Sequence, residues 1–211
     1  AAPGPREQSP TGPRDLRPWQ NLGPPATVGM REAAEMARAM VVYESYFGDG
    51  KRIAEAIGRG MVRFAKVDVV EVGRASTEIG SDVHLLVVGS PNHAFGLPRP
   101  DSRSEAESMT DQPLISQGVG LREWIPSLQV PSGLKAVVYD TRMDHPRLVR
   151  HVDHASHSAE KLLRKRGIAL LLPAEHYFVE GPQGPLVEGE VARAENWGAE
   201  LGAAVVGAMA V

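Results

Sequence analysis

Short apolar runs recur along the chain, and between them apolar residues fall at three- and four-residue spacing. Met40 to Tyr43 is the first clear run. Ile53, Ile57, Met61 and Phe64 follow, and their spacing marks one face of a helix. "VDVVEV", 67–72, alternates in part, as an edge strand does, while "VHLLVVG", 83–89, is almost wholly apolar and reads as a strand covered on both faces. A weakly signalled short helix falls between them, around 75–80. Leu121, Trp124, Ile125 and Leu128 form a second helical stripe. "LKAVVYD", 134–140, is another buried strand, introduced by the turn-former "PSG". Val152, Ala155, Ala159, Leu162 and Leu163 predict a helix ending at Gly167, "IALLL", 168–172, a fifth strand, and the stripe from Val191 to Ala208 a closing helix.

Strands alternate with helices, five of each. That alternation predicts an α/β fold: a parallel sheet between two helix layers, with right-handed crossovers. Of the common doubly wound orders, 2-1-3-4-5 suits five strands, and it places "VDVVEV" at an edge. The expectation is a flavodoxin-like three-layer doubly wound five-stranded parallel sheet, spanning residues 39–211.

Residues 1–38 break the pattern. The first 29 are rich in Pro, Gly and Arg and carry too few apolar side chains to offset the entropy of ordering. They are expected to form a disordered or loosely docked tail, and "MREAAEMARAM" to add one or two helical turns. Met30, Met36 and Met40 crowd the point where order should begin.

Composition narrows the chemistry. At 211 residues and 42% apolar content the chain can fill one sizeable core. The net charge of −3 offers no basic excess for nucleic acid or anionic membrane. The sequence contains no cysteine, which excludes disulfides, thiolate metal sites, iron–sulfur clusters and a cysteine nucleophile. No apolar run approaches the ~20 residues of a membrane span, and the N-terminus lacks a signal-peptide layout. A cytoplasmic protein is expected.

In an open parallel sheet, ligands bind beyond the carboxyl ends of the strands, where the strand order reverses. Three loops meet there: "ESYFGDG" after the first strand, "SPNHAFGLPRP" after the third and "DTRMDHP" after the fourth. Their Gly, Pro, small polar and aromatic residues suit a flat ring with a phosphate.

"VVYESYFGDGKRIAEAIGRGM", "LLVVGSPNHAFGLPRP", "GLREWI", "YDTR" and "GPQGPLVEGE" together resemble the flavodoxin-like proteins of actinobacteria, over residues 39–208. The resemblance implies non-covalent binding of FMN, and a role as an electron carrier or as a quinone-reductase-like flavoprotein oxidoreductase. A redox protein or a small acceptor would be the partner. The flavin does the redox chemistry in such proteins, so no catalytic residue is implied. The family's phosphate loop reads Thr/Ser-x-Thr-Gly-x-Thr. Ser45 takes its first hydroxyl position, Phe47 the middle place and Gly48 the fixed glycine, with Tyr46 between. Asp49 and Gly50 depart from the Asn and Thr of many relatives. Backbone amides of 46–50 and the start of the following helix still offer donors. Asp49 can cap that helix itself, and its charge opposes a phosphate. Two unit charges about 5 Å apart repel by roughly 3 kcal/mol at an effective dielectric of 20. A lost hydroxyl bond to a charged group costs about 1.5–3 kcal/mol. Together these remove about three decades of affinity or more, partly offset if Lys51 and Arg52 face the site. FMN binding is therefore expected to be weak or lost, and the alternative is a cofactor-less binding or regulatory module.

In the second loop Pro91 fixes the backbone, Asn92 replaces a Thr, and His93, Ala94, Phe95 and Gly96 match the family pattern. The resemblance implies that Phe95 stacks on the ring. In the third loop Asp140, Thr141 and Arg142 are the candidates, and Arg142 can balance an anionic reduced flavin. Taken singly, each residue is better explained by ordinary packing or pairing.

Other candidates are weaker. His151, His154 and His157 spread over about 120° of a helix, a poor metal set. "GDGKRI" is neither a dinucleotide fingerprint nor a P-loop. Asp144 and His145 with Ser102 or Ser104 lack a nucleophile elbow. The polar stretch 99–118 is expected to be a mobile lid or an exposed partner surface.

Overall fold

The structure, a computed structural model, describes residues 28–92, 96–143 and 155–209. Its order is α1 (Val28–Met36), β1 (Arg38–Tyr43), α2 (Asp49–Met61), β2 (Lys66–Glu71), β3 (Leu85–Pro91), α3 (Pro100–Ser108), α4 (Leu121–Ser127), β4 (Lys135–Met143), α5 (Ala155–Lys165), β5 (Ala169–Leu170), β6 (Glu175–Val179) and α6 (Glu190–Met209). The strands pair in parallel in the order β2-β1-β3-β4-β5, as the alternation predicts. Among the described residues no helix is long and apolar enough to cross a membrane.

Successive strand residues serve opposite layers, since side chains alternate across a sheet. Val41, Leu85, Val87, Val137 and Tyr139 pack under α2 and α6. Val42, Leu86, Val88, Ala136 and Val138 pack under α4 and α5. The central strands are apolar at consecutive positions because both faces are covered. β2 has one neighbour only, and its mixed polarity follows from that edge place.

Four features differ from the sequence expectation. The stretch around 75–80 forms no α-helix; a short 3-10 turn, Val72–Arg74, precedes it. The run 168–172 yields a strand of two residues, and the fifth place of the sheet is completed by β6, which pairs with Tyr139–Met143 of a β4 longer than expected. The stretch 99–118 carries α3, with Pro100 in its first turn and Ser102 and Ala106 buried. Its low amphipathicity hid it. Finally, α1 packs on α6, with Ala33 and Ala34 against the core. Residues 1–27, most of the expected tail, lie outside the described residues.

Candidate functional site

The loop after β1 is held from below. Glu44 N–H donates to the Gly89 carbonyl at 2.9 Å. Ser45 N–H donates to Ser116 Oγ at 3.0 Å, while Ser116 and Ile115 N–H groups donate to the Ser45 and Tyr46 carbonyls at 2.8 and 3.0 Å. The part of 99–118 expected to be mobile or exposed is thus a support for this loop. The Glu44 carboxylate is fully buried and accepts from Leu121 N–H (2.9 Å), Arg103 Nε (3.3 Å) and the Tyr46 hydroxyl (3.3 Å). Burial pushes its pKa up, and the Leu121 amide and the Arg103 charge oppose that shift.

Gly48 precedes α2 at φ 106°, a left-handed conformation that suits glycine. It brings no side chain, and among the described residues no side-chain hydrogen bond caps the helix. The first amides of α2 therefore keep the partial positive charge of a helix N-terminus. Ser45 is 1% exposed, and its Oγ has no hydrogen-bond partner among the described residues. An unpartnered buried hydroxyl beside an uncapped helix start is what a bound acceptor would satisfy.

Asp49 behaves differently from expectation. It opens α2 but does not cap it: its carboxylate stands 3.6 Å from Arg52. Burial raises its pKa, and the Arg52 charge and Leu186 amide pull the other way. Lys51 points elsewhere, 3.8 Å from Glu55. At Gly50, a Cβ would stand 3.1 Å from the Glu44 carbonyl oxygen and 3.3 Å from Ser45 Oγ, so the loop must shift to admit a hydroxyl-bearing side chain there. Tyr139 donates its hydroxyl to the Gly50 carbonyl at 3.1 Å.

The second and third loops join this one at a cleft. Pro91, Asn92, Thr141 and Arg142 line it with Ser45, Tyr46, Phe47, Asp49 and Gly50. Asn92 also ties two elements together: its Oδ1 accepts from Ala155 N–H at 3.1 Å, and its N–H donates to the Thr141 carbonyl at 2.8 Å. Asp140 does not line the cleft. It lies fully buried behind Arg142, which grips it with two bonds of 2.7 Å. His176 Nδ1 lies 3.1 Å from the same carboxylate and also contacts Arg142. Burial would raise the Asp140 pKa, but the bonds and charges of His176 and Arg142 outweigh it and hold it at about 2. Nδ1 cannot both accept from Arg142 and donate to Asp140, so the guanidinium pair is the contribution common to both tautomers. The Arg142 charge is thus already balanced. Gly96 does not line the cleft; its nearest neighbours are Ser158 and Arg122. His93, Ala94 and Phe95 lie outside the described residues, as do Asp144, His145, His151 and His154.

A fourth wall escaped the sequence reading. Val179, Pro182, Gly184 and Met143 complete the cleft. The strap after β6 returns through a Val179–Leu186 bridge, and Gln183 Nε2 donates to the Met109 carbonyl at 2.5 Å. Gly184, at φ 92°, presses its backbone so close to the Asp49 carboxylate that a Cβ would overlap it. The motif "GPQGPLVEGE" carried a signal in its glycines and prolines, but its place depends on β6, which was not foreseen. The cleft encloses about 200 Å³ between described residues, below the roughly 300–1,000 Å³ common for small-molecule sites.

No protein-family model matches the chain, and no curated protein matches it. Solved structures do. An archaeal flavodoxin aligns with a TM-score of 0.51 at 17% identity, over 80% of this chain and 98% of its own. The Streptococcus pneumonia TIGR4 flavodoxin aligns with a TM-score of 0.53 at 16% identity, over 78% and 97%. The flavodiiron protein of Giardia intestinalis aligns with a TM-score of 0.51 at 16% identity, over 85% of this chain but 38% of its own. The strand order and these neighbours define a flavodoxin-like α/β fold.

Proposed function

We propose that the chain binds a flavin of the FMN type in this cleft and serves, in the cytoplasm, in electron transfer or in reduction of a small acceptor. The observation that carries this reading is the buried, unpartnered Ser45 hydroxyl beside the uncapped start of α2. It lies at the switch point between β1 and β3, where an open parallel sheet takes its ligand. The flavin, when bound, would supply the electron chemistry. The chain would hold its tail with Ser45 and the α2 amides and flank its ring with Pro91, Asn92 and Thr141. Arg142 would contribute donors rather than net charge, because Asp140 already neutralises it.

Asp49 favours a second reading, a cofactor-less binding or regulatory module. Its carboxylate and the strap occupy part of the cradle. The visible spectrum of freshly purified protein and a titration with FMN separate the two. Flavin absorbance that is released on heating, or saturable quenching of added FMN fluorescence, supports the flavin site. A colourless protein that leaves flavin fluorescence unchanged at millimolar concentration rejects it.

A further inference from the structure

The cradle offers donors and an acceptor together, and that combination selects among flavins. Ser45 Oγ and the first α2 amides can donate. Asp49, whose side chain is 15% exposed, can only accept while ionised. A phosphate dianion also only accepts, so it gains from the amides and loses against the carboxylate. A hydroxyl both accepts and donates: it can take a hydrogen bond from an α2 amide and give one to Asp49.

The charges nearby do not rescue a phosphate. Arg142 is paired with Asp140 and Arg103 with Glu44. Arg52, 57% exposed and 3.6 Å from Asp49, is shared with it and screened by water. Nor is the carboxylate free to swing away, since it packs against the Gly184 backbone and stands beside Arg52.

We propose that Asp49 makes this cleft a site for a flavin whose side chain ends in a neutral hydroxyl, as riboflavin's does, in preference to the phosphate ester FMN. The proposal rests on the flavin-site reading above and narrows its ligand class. Asp49 is the specificity-determining residue, acting by direct contact with the ligand's terminal group.

The test titrates the full chain with riboflavin and with FMN by flavin fluorescence, at about pH 8, where a phosphate monoester is fully dianionic. Wild type should bind riboflavin at least as tightly as FMN. Asp49→Asn keeps the side chain's size and an acceptor oxygen and removes the charge. It should strengthen FMN binding about tenfold or more, with no gain for riboflavin. A wild-type preference for FMN of tenfold or more overturns the proposal and leaves the flavin site standing. An equal change for both flavins in Asp49→Asn overturns it as well, since Asp49 would then act through the fold. If neither flavin binds either protein, the flavin site itself falls. Should Asp49→Asn fail to fold, a salt series on wild type decides. Repulsion is screened by salt, so FMN binding should strengthen with ionic strength while riboflavin binding stays constant. FMN binding that weakens with salt overturns the proposal.

Discussion

Asp49, in the cleft wall, and Asp140, buried behind Arg142, are two carboxylates with opposite electrostatic histories. Asp140 is fully buried and held by Arg142, and its pKa lies at about 2, below the ordinary aspartate value of 3.8. A depressed pKa means the ionised form is favoured by folding, so the pair's stability is fully present above the unfolded value and is lost as pH falls through about 2. The shift corresponds to roughly 2 kcal/mol. Asp140→Asn leaves the Arg142 guanidinium, 11% exposed, without its counter-charge. We expect that variant to lose about 3 kcal/mol in urea unfolding at neutral pH, with its deficit against wild type shrinking below about pH 4, where unfolded aspartate protonates. Asp49 runs the other way. Burial raises its pKa, so its ionisation works against the fold, and stability falls as pH rises from the unfolded value through the folded one. Asp49→Asn should therefore melt no lower than wild type at neutral pH, followed by circular dichroism, while Asp140→Asn melts lower. A sequence shows both residues as loop acids of the same type. The signs separate because His176 and Arg142 outweigh burial at Asp140, whereas burial outweighs Arg52 and the Leu186 amide at Asp49.

At the scale of elements, α2 and α6 meet through glycine rather than through interlocked large side chains. A Cβ at Gly198 would overlap the Ile57 carbonyl, one at Gly60 the Glu195 carbonyl, and one at Gly202 the Phe64 ring. Intrinsic propensity alone makes alanine about 1 kcal/mol better than glycine in a helix interior. Overpacking of this kind costs about 1–3 kcal/mol and rises when the obstacle is backbone. Gly198→Ala should therefore destabilise by about 2 kcal/mol in urea unfolding, opposite in sign to the propensity scale. The helices themselves were legible, because Ile53, Ile57 and Met61 of α2 and Trp197, Leu201 and Val205 of α6 repeat at helical spacing. The core strands were legible because burial on both faces demands apolar runs. β6 was not. Its Glu175 and His176 look foreign to a strand, yet Arg193 pairs with the first and Asp140 lies 3.1 Å from the second. Its fully buried side chain is Tyr177, which packs between Tyr139 and Trp197. α3 was hidden for the converse reason, that it buries so little.

At the scale of the molecule, the cleft is a junction of four segments far apart in sequence: 45–50, 91–92, 141–143 and 179–184. Three were legible because topology sends the loops after β1, β3 and β4 to one edge. The fourth was not, since the strap reaches that edge only by way of β6. This assembly predicts a particular response to ligand. A molecule seated there touches segments anchored on β1 with α2, on β4 and on β6, so it binds only when those elements are docked together, and binding must stabilise the whole domain. A ligand at one hundred times its dissociation constant adds about 2.7 kcal/mol to a protein that binds it only when folded. For a domain of this size, each kcal/mol moves the melting midpoint by about 2–4 °C. Saturating flavin should therefore raise the midpoint by roughly 5–10 °C, followed by circular dichroism. Amide exchange should slow in 45–50 and in 180–186 together, because the Gly184 backbone of the strap packs against Asp49 at the start of α2. Protection confined to 45–50 would mean that the strap stands outside the site, and that Asp49 meets the ligand without help from Gly184 and Leu186.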